Sequence, residues 1–445
     1  MKKMTLPHGF ALCDVTIVDG TGADAQPRPD SFIEVRGKRI TAMGPMADFV
    51  ARPEIDVVSL PGHFVMPGLI DAHVHLSGGR ADVDDQEMGV VAEPMLLKAM
   101  RSVYEAQQLL KRGFTTVRDI SWNGLYLKRL FFEQTIPGPK VVACGPGLSR
   151  TGGHADLHQF TPDYVAEAGV WGLIADGPEE VRKAVRRNLR EGADAIKIWV
   201  SGGDNWPHDR IDDVHYSMEE VRACVDEAHR QTGTIVAAHA ENREAIEMAI
   251  DAGCDTIEHG EDIDEALAQK MVANGTILVP TLQLIVNWYR DFIPLGEGER
   301  TQIRPDAFLY RDLYEERTEE MGEAYGAAAE TSFRTALAAG VKIALGSDTV
   351  YEPLTKYGEY SALEFRALVQ CGMTVPQAIH AATAVSSEAV GMSHVIGTLE
   401  TGKLADLLVL RADPTSSAEV VYDVANHARV YCDGKLTVRD GEFVW

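Results

Sequence analysis

Eight apolar runs of strand length alternate with amphipathic helical segments through the middle of the chain. In residues 178–191, for example, Val181, Val185 and Leu189 share one helical face, and charged residues occupy the other. Strands joined by helices in this way form parallel sheets, and a count of eight predicts a (β/α)8 TIM barrel. An open doubly wound sheet is the alternative, but no Gly-x-Gly-x-x-Gly opens a helix after the first strand. The predicted strands lie at 69–76, 115–120, 140–145, 195–200, 234–240, 256–259, 276–280 and 342–348.

Both ends of the chain have a different pattern, in which short strands are separated by turns. Residues 11–18 and 31–35 are predicted strands near the start, and 406–410, 430–432 and 436–438 near the end. Because chain ends often lie close together, we expect one small β-sandwich domain formed from both termini, within an α/β fold. The expected limits are 1–66 for the N-terminal part of the sandwich, 67–394 for the barrel and 395–445 for the C-terminal part of the sandwich.

The composition narrows the range of partners and compartments. Lysine and arginine total 42, aspartate and glutamate total 67, and the formal net charge is −25. This charge disfavours nucleic acid and anionic membrane surfaces as partners. The six cysteines are scattered without a Cys-x-x-Cys pair, which favours reduced thiols over a disulfide framework. Without a signal-peptide pattern or an apolar run of ~20 residues, we expect a cytoplasmic protein that does not span a membrane.

The most informative segment is Gly68-Leu-Ile-Asp-Ala-His-Val-His75, at the end of the first barrel strand. Alternate side chains of a strand point to the same face, so His73 and His75 can reach a single point. A rigid strand can present two imidazoles to one metal ion in this way. The interpretation of this pair as metal ligands is strengthened by residues within or at the ends of later barrel strands, namely Lys197, His239, His259 and Asp348.

Barrels of this kind carry their chemistry at the carboxyl ends of the strands. Taken singly, each histidine has a plain alternative as a hydrogen-bonded surface or core group. Lys197 is harder to explain in that way, because an unpaired ammonium inside an apolar strand is costly to bury. It must be paired, neutralised or chemically modified. Six residues of these types, on five of the eight strands, therefore predict a metal site.

Two longer motifs make the chain similar to the amidohydrolase superfamily of metal-dependent hydrolases. They lie at 65–75, at the entry to the barrel, and at 397–410, at the return to the sandwich. The resemblance extends over nearly the whole chain, and it implies two metal ions with a shared ligand. The ligands implied are His73, His75 and Asp348 for a more buried ion, His239 and His259 for a more exposed ion, and Lys197, converted by CO2 to N6-carboxylysine, as the bridge.

The chemistry expected of such a site is hydrolysis. Two divalent ions about 3.5–4 Å apart can share a water molecule and lower its pKa towards neutrality. The resulting hydroxide attacks a carbonyl that the more exposed ion polarises, and Asp348 passes the proton of the water to the leaving amine. Zinc suits the mixed nitrogen and oxygen ligands, with manganese or cobalt as alternatives. We therefore expect a hydrolase of an amide or peptide-like C–N bond in a small-molecule substrate.

Shorter motifs resemble the prolidase-like and imidazolonepropionase-like branch of this superfamily. They lie at 151–154, 175–180, 192–197 and 216–217. Members with similar motifs hydrolyse dipeptides ending in Pro, Arg or Lys, N-acyl amino acids or amide-linked xenobiotics. In that branch, residues like His154 and Tyr216 face the substrate and can stabilise an oxyanion. The alternatives are a loop-capping role for His154 and core packing for Tyr216.

One position departs from that branch. Many relatives carry a second histidine two residues after the ligand on strand five, where this chain has Glu241. We expect a solvated loop carboxylate there; the alternative is a charge near the pocket that weakens the transfer of dipeptide specificity. Loops at 77–94, 202–215 and 283–320 are expected to shape the pocket. The last is long and rich in aromatic residues, which favours a lid or an oligomer contact, and we expect a homo-oligomer.

Two other functions stay open. A deaminase of a heterocycle, or a cyclic-amide hydrolase of the imidazolone type, generally uses one metal ion and a glutamate near strand five or six. Lys197 argues against a single ion, whereas Glu241 is compatible with it. A catalytically inactive barrel that serves as a scaffold would typically lose ligands, and all six are present here.

Overall fold

The computed structural model describes residues 9–24, 26–79, 93–158, 160–161, 163–165, 172–203, 209–287, 319–350 and 356–444, apart from the side chains of 319–323. Three predicted loops lie partly outside the described residues. These are most of 77–94, the centre of 202–215 and nearly all of 283–320. The roles expected of those loops therefore stay predictions.

Strands from both ends of the chain share one mixed sheet, which we call the terminal sheet. Its strands are β1 (Gly9–Ile17), β2 (Arg28–Arg36), β3 (Arg39–Pro45), β4 (Ile55–Ser59), β5 (Phe64–Pro67), β15 (Leu407–Leu410), β16 (His427–Cys432), β17 (Lys435–Arg439) and β18 (Glu442–Phe443). They run in the order β18-β17-β16-β15-β5-β1-β2-β3, with β4 paired to β1. The two ends meet where β15 lies antiparallel to β5, with Leu408 opposite Met66. The termini thus share a sheet as expected, while a sandwich of two packed sheets stays a prediction.

The middle of the chain forms two parallel sheets. Their strands are β6 (Leu69–Val74), β7 (Phe114–Asp119), β8 (Lys140–Ala143), β9 (Gly147–Ser149), β10 (Gly172–Ile174), β11 (Ala195–Trp199), β12 (Ile235–Ala240), β13 (Thr256–His259) and β14 (Ile277–Val279). One sheet has the order β6-β7-β8, and the other has the order β10-β9-β11-β12-β13-β14. The predicted α/β class with parallel sheets is confirmed.

Residues 342–348, predicted as the eighth strand, lie between the two parallel sheets. On one side they form a parallel bridge to β14, and on the other Thr349 forms one to Val74 of β6. The backbone N–H of Asp348 donates to the carbonyl of His73 over 2.8 Å. The segment forms isolated bridges rather than a continuous ladder. Its hydrogen bonds nevertheless bring Asp348 beside the end of β6.

Helices alternate with the parallel strands, as the amphipathic pattern predicted. They are α1 (Met95–Lys111), α2 (Gly124–Phe132), α3 (Gly177–Glu191), α4 (Met218–His229), α5 (Arg243–Ala252), α6 (Glu265–Asn274), α7 (Glu319–Ala339), α8 (Glu359–Gln370), α9 (Val375–His380), α10 (Ser386–Ala389) and α11 (Ala418–Tyr422). Single 3-10 turns form at Met46–Asp48 and Val424–Asn426, and π-helical turns form at Gln283–Asn287 and Ala381–Val385. Across the residues described here, no helix is both long and apolar enough to cross a membrane.

The ends of α3 illustrate how local sequence sets these helices. Pro178 lies in the first turn, where its missing N–H leaves no helical hydrogen bond unmade. Gly192 ends the helix with φ of 100°, a conformation that favours glycine. Between them, Val181 and Val185 are buried in the main core. The helix therefore lies with its apolar face on the sheet, and its charged face is left to solvent.

Lys140 of β8 joins the parallel sheets to the terminal sheet. Its ammonium lies 2.7 Å from Asp406 Oδ1 and 2.6 Å from Asp433 Oδ1. Asp406 directly precedes β15, and Asp433 lies in the turn between β16 and β17. One largely buried cation thus pairs with two carboxylates of the other sheet.

Replacing Lys140 with alanine should lower the free energy of unfolding by about 3–5 kcal/mol, because a buried ion pair that loses one partner leaves an uncompensated charge. Chemical denaturation measures this loss. Lys342→Ala is the control, since Lys342 pairs with Glu388 at an exposed position, where a salt bridge contributes about 0–1 kcal/mol. Equal losses for both variants would mean that Lys140 does not stabilise the junction.

Candidate metal centre

Three predicted ligands meet at the end of β6. Asp348 Oδ1 lies 3.4 Å from His73 Nε2 and 2.9 Å from His75 Nε2. His73 lies in β6 and His75 directly follows its last residue, and the hydrogen bonds of residues 342–348 hold Asp348 opposite them. The three ligand atoms all lie within 4.8 Å of one another. We call His73, His75 and Asp348 the first ligand group.

A second ligand group forms at the ends of β12 and β13. His239 and His259 end these adjacent strands, and their ring centroids are 4.6 Å apart. Together with Glu241 they offer three buried ligand atoms within 4.8 Å of one another. The two groups adjoin, because the rings of His73 and His259 are 5.3 Å apart. The strand-end residues predicted as ligands thus converge on one region.

Lys197 of β11 is fully buried close to both groups. Its Nζ has no hydrogen-bond partner within the described part of the chain, and it lies 5.7 Å from the ring centre of Trp199. Burial lowers the pKa of Lys197 to about 8, although the carboxylates of Glu258 and Asp348 oppose this shift. A buried amine without a partner is costly. Lys197 is therefore expected to be neutral or chemically modified.

The charge states of these side chains suit metal binding. Burial lowers the pKa of His73, His239 and His259, the last to about 3, so their imidazoles are neutral at pH 7. Burial alone would raise the pKa of Asp348, but His73 and His75 beside it hold that pKa below its ordinary value. Neutral imidazole and ionised carboxylate are the forms that bind divalent cations.

Each of the four histidines has one ring nitrogen held by a protein partner. Such a partner fixes the tautomer and the ring orientation of a metal-binding histidine. The contacts are His73 Nδ1 to Glu258 Oε2 (2.6 Å), His75 Nδ1 to the Ile120 carbonyl (2.8 Å), His259 Nδ1 to Thr281 Oγ1 (2.8 Å) and His239 Nε2 to the Gly202 carbonyl (3.0 Å). The other ring nitrogen, Nε2 of the first three histidines and Nδ1 of His239, is the one that could bind a metal ion.

Backbone strain also concentrates here. Asp348, His259 and Thr281 have φ angles of 54°, 71° and 48°. Residues other than glycine adopt this left-handed region rarely, at a cost of about 1–3 kcal/mol each. Three such residues at one site, two of them candidate ligands, indicate that the fold maintains this geometry for function.

Glu258, which binds His73 Nδ1, belongs to a buried ion pair with Arg118. The side chains of Arg118 and Glu258 are fully buried, and Arg118 Nη2 donates to Glu258 Oε1 over 2.6 Å. Arg118 Nε also donates to the carbonyl of Ala72 over 2.6 Å. The sequence analysis missed both residues. The available signal was the presence of opposite charges inside two apolar strands, where neither can remain unpaired.

Glu258→Gln should weaken zinc binding by about 10–100-fold, as expected when the partner of a metal-binding histidine is lost. Glutamine keeps the size of the side chain but removes the charge that faces Arg118 and His73. Competition between the metal-free protein and a chelating dye measures the affinity. Glu247→Gln, on the exposed surface of α5, is the control. Equal zinc affinities for the two variants would contradict the positioning role of Glu258.

The two residues predicted to face the substrate differ in their placement. The ring of His154 stacks on that of His239, with centroids 4.5 Å apart, so it lies beside the second ligand group. Tyr216 is buried, and its hydroxyl donates to the carbonyl of Ala175 over 3.1 Å. Burial raises the pKa of this hydroxyl, which is therefore neutral. The oxyanion role of both residues stays a prediction.

The expectation that Glu241 is a solvated loop carboxylate is wrong. Its side chain is buried, with Oε1 3.4 Å from His239 Nε2. The hydroxyl of Tyr325, from α7, donates to Oε2 over 3.2 Å. The sequence could not reveal this contact, because Tyr325 lies 84 positions further along the chain. Glu241 is thus the third potential ligand of the second ligand group, beside His239 and His259.

Comparison with known proteins agrees with this fold. The sequence profile of the Amidohydrolase family matches residues 64–437. Ochratoxinase of Aspergillus niger is 32% identical over 447 aligned positions, covering 95% of this chain and 86% of that protein. Its crystal structure superposes with a TM-score of 0.83 at 28% identity, over 97% of this chain and 96% of that chain.

Two further relatives represent the branch expected from the sequence. A crystal structure of a prolidase complexed with N-methylphosphonate-L-proline has a TM-score of 0.81 at 30% identity, over 97% of this chain and 100% of that chain. Imidazolonepropionase of Rhizorhabdus wittichii is 25% identical over 90% of this chain and 93% of that protein.

An α/β fold with parallel sheets, and two groups of side chains at strand ends that could hold metal ions, are in keeping with the amidohydrolase superfamily, which is generally metal-dependent. The chain belongs to the amidohydrolase family. It is a hydrolase of carbon–nitrogen bonds, as the motifs at 65–75 and 397–410 predicted.

Proposed function

We propose that this amidohydrolase uses two divalent cations to cleave an amide or peptide-like C–N bond of a small molecule. The observation that carries the proposal is Lys197, whose buried Nζ has no partner among the described residues. The positive charge of Lys197 contributes to the lowered pKa of His73 in the first ligand group and of His239 and His259 in the second. Lys197 is therefore within electrostatic range of both groups. A residue at this location can serve both groups only if it carries ligand atoms.

Carboxylation would give Lys197 those atoms. The neutral amine reacts with CO2, and the pKa of about 8 leaves a larger neutral fraction at pH 7 than an ordinary lysine has. The product, N6-carboxylysine, is an anion with two oxygens. The first ion would then be held by His73, His75 and Asp348, the second by His239 and His259, and both by Lys197. Zinc suits this mixture of ligands, with manganese or cobalt as alternatives.

Cations bound there supply two effects, a lower pKa for water and polarisation of a carbonyl. Side chains of the protein supply proton transfer and hydrogen bonds to the substrate. Asp348, ionised at neutral pH, accepts the proton of the attacking water and passes it to the leaving nitrogen. His154 beside His239 is suited to donate a hydrogen bond to the carbonyl oxygen. Tyr216 would need to exchange its bond with Ala175 to do the same.

The relatives support a substrate in which an amino acid carries the amide. The prolidase structure contains a phosphonate derivative of proline, and a second solved relative is a Xaa-Pro dipeptidase with bound methionine. We therefore propose an Xaa-Pro or Xaa-Arg dipeptide, an N-acyl amino acid or an amide-linked xenobiotic. Glu241 weakens the case for dipeptides, because it replaces the histidine that many dipeptidase-like relatives carry.

We also propose that the parallel sheets close into one (β/α)8 barrel spanning residues 67–394. The bridges from residues 342–348 to β14 and β6 support this closure. The terminal sheet would belong to a β-sandwich formed by 1–66 and 395–445. Lys140, bound to Asp406 and Asp433, would join the two domains.

A substrate screen tests this function. The zinc-loaded protein, prepared with bicarbonate, would be assayed against Xaa-Pro and Xaa-Arg dipeptides, N-acyl amino acids and aryl amides of amino acids. Release of a free amino acid from at least one class is the expected result. The absence of amide hydrolysis with zinc, manganese and cobalt would overturn the proposal.

The second candidate is a deaminase or cyclic-amide hydrolase acting on a heterocycle. It is favoured by the contact between Glu241 and His239, because a glutamate beside a single metal ion can serve as acid and base. This alternative predicts ammonia or a ring-opened product, without release of an amino acid. It also predicts full activity with one ion per chain and an unmodified Lys197.

A further inference from the structure

We infer that Asp209 is a positioning residue that fixes the imidazole of His154 for contact with the substrate carbonyl. The sequence analysis did not single out Asp209. The inference rests on the proposed function, because it requires a carbonyl bound beside His239. It assigns the loop after β11 a part in transition-state stabilisation.

Asp209 ties two separate loops together through one buried carboxylate. Its side chain is fully buried, and Oδ2 lies 2.7 Å from Nδ1 of His154, in the loop after β9. Its Oδ1 accepts the backbone N–H of Gly203, just after β11, over 3.2 Å. A buried carboxylate makes strong hydrogen bonds of this kind, and they are costly to break.

The contact determines which nitrogen of His154 carries a proton. An ionised carboxylate can only accept, so Nδ1 of His154 must be the donor to Asp209. Nε2 can then donate to a substrate oxygen only when the ring carries a second proton, a form whose positive charge Asp209 balances. The ring stacks against His239 with an angle of 23° between planes. The ring as a whole therefore lies next to the second ligand group. The backbone N–H of His154 is also held, by Nδ1 of His215 over 3.3 Å.

Gly203 holds the same ring from a second side. A Cβ atom at this position would lie 2.3 Å from Cε1 and 2.7 Å from Nδ1 of His154. Contacts that short cannot persist, so alanine at 203 would displace the ring or the backbone beside it, and its Cβ would also lie 3.1 Å from Oε1 of Glu241. Gly203→Ala should therefore disturb His154 by direct contact, and Asp209→Asn by weakening the bond to Nδ1.

The expected effect is on turnover rather than on substrate binding. A donor aimed at the carbonyl oxygen acts mainly when negative charge develops there. A displacement of about 1 Å of such a group can lower the rate about 100-fold. The described contacts of Asp209 are with His154, His215 and Gly203, and none of these three is a predicted metal ligand, so metal content should be unchanged.

The test compares Asp209→Asn with Asp212→Asn, an exposed aspartate in the same loop. The assay uses the zinc-loaded full chain and the best amide substrate of the screen. Asp209→Asn should lower kcat about 100-fold with KM, zinc content and unfolding temperature close to those of Asp212→Asn. Gly203→Ala should reproduce the loss of kcat. Equal kcat values for Asp209→Asn and Asp212→Asn would overturn the inference while leaving the proposed function intact.

A double variant tests whether Asp209 acts through His154. His154→Ala combined with Asp209→Asn should be no slower than His154→Ala alone, because the positioned group is already absent. A second readout is the affinity of the wild type and of Asp209→Asn for the N-methylphosphonyl derivatives of L-proline and L-phenylalanine. Asp209→Asn should bind more weakly than the wild type to each derivative that the wild type binds. Losses in kcat that multiply in the double variant would contradict the inference. If the wild-type protein hydrolyses no amide, the proposed function fails instead.

Discussion

Lys197→Ala should abolish amide hydrolysis and remove one of the two metal ions. Without a carboxylated side chain, the two ligand groups lose their shared ligand and several kcal/mol of transition-state stabilisation. A loss of about 4 kcal/mol corresponds to a rate about a thousandfold lower. The measurements are kcat and the zinc content per chain. The fold should persist, because the replaced amine has no hydrogen-bond partner among the described residues.

Short carboxylic acids should partly restore the activity of this variant, since they can occupy the space of the missing carbamate. Lys183→Ala, at an exposed position of α3, is the control for replacing a lysine and should behave like the wild type. Full activity of Lys197→Ala without added acid would refute the bridging role.

Asp348→Asn should leave the protein folded and lower kcat by about 10²–10⁴-fold, the usual contribution of a general acid or base. Asparagine keeps the size of the side chain but cannot accept and return a proton at neutral pH. Because Asp348 Oδ1 also faces His73 and His75, zinc content must be measured together with kcat. Loss of turnover with both ions retained would assign Asp348 to proton transfer.

Asp226→Asn, an exposed aspartate of α4, controls for the loss of a negative charge elsewhere on the protein. Turnover of Asp348→Asn equal to that of Asp226→Asn would remove Asp348 from the mechanism. Loss of one ion together with turnover would instead restrict its role to metal binding.

Much of the site could be predicted because strand period and strand order are local signals. His73 and His75 share a face through the two-residue period of β6, and His239 and His259 each end an apolar run. Parallel strands align their carboxyl ends, so these residues had to lie near one another. The structure brings them together around the buried amine of Lys197 as that reasoning requires.

The supporting contacts could not be predicted, because they join residues far apart in the chain. Glu258 meets His73 across 185 positions, and Asp209 meets His154 across 55. Neither pair follows a helical or strand period. Glu241 was assigned to solvent for a similar reason: its burial depends on α7, whose Tyr325 the sequence does not connect to it.

The fold, too, was predicted only in part from the sequence. Long strands with a clear apolar run, such as β11 and β12, were predicted to within a residue or two. The three-residue strands β9 and β10 were missed, because each begins with glycine and contains only one or two apolar side chains, whereas the equally short β14 is apolar throughout. In the ion cluster between Lys140 and the terminal sheet, Lys140 and Asp406 are 266 positions apart in the chain. No local sequence pattern predicts that contact.

The central claim is that two cations share a carboxylated Lys197 and act together. Titration of the metal-free chain with zinc, in the presence of bicarbonate, tests this most directly when bound metal and amide hydrolysis are followed in parallel. Both should saturate at two ions per chain, and removing bicarbonate should lower both. Full activity at one ion per chain, independent of bicarbonate, would contradict this claim.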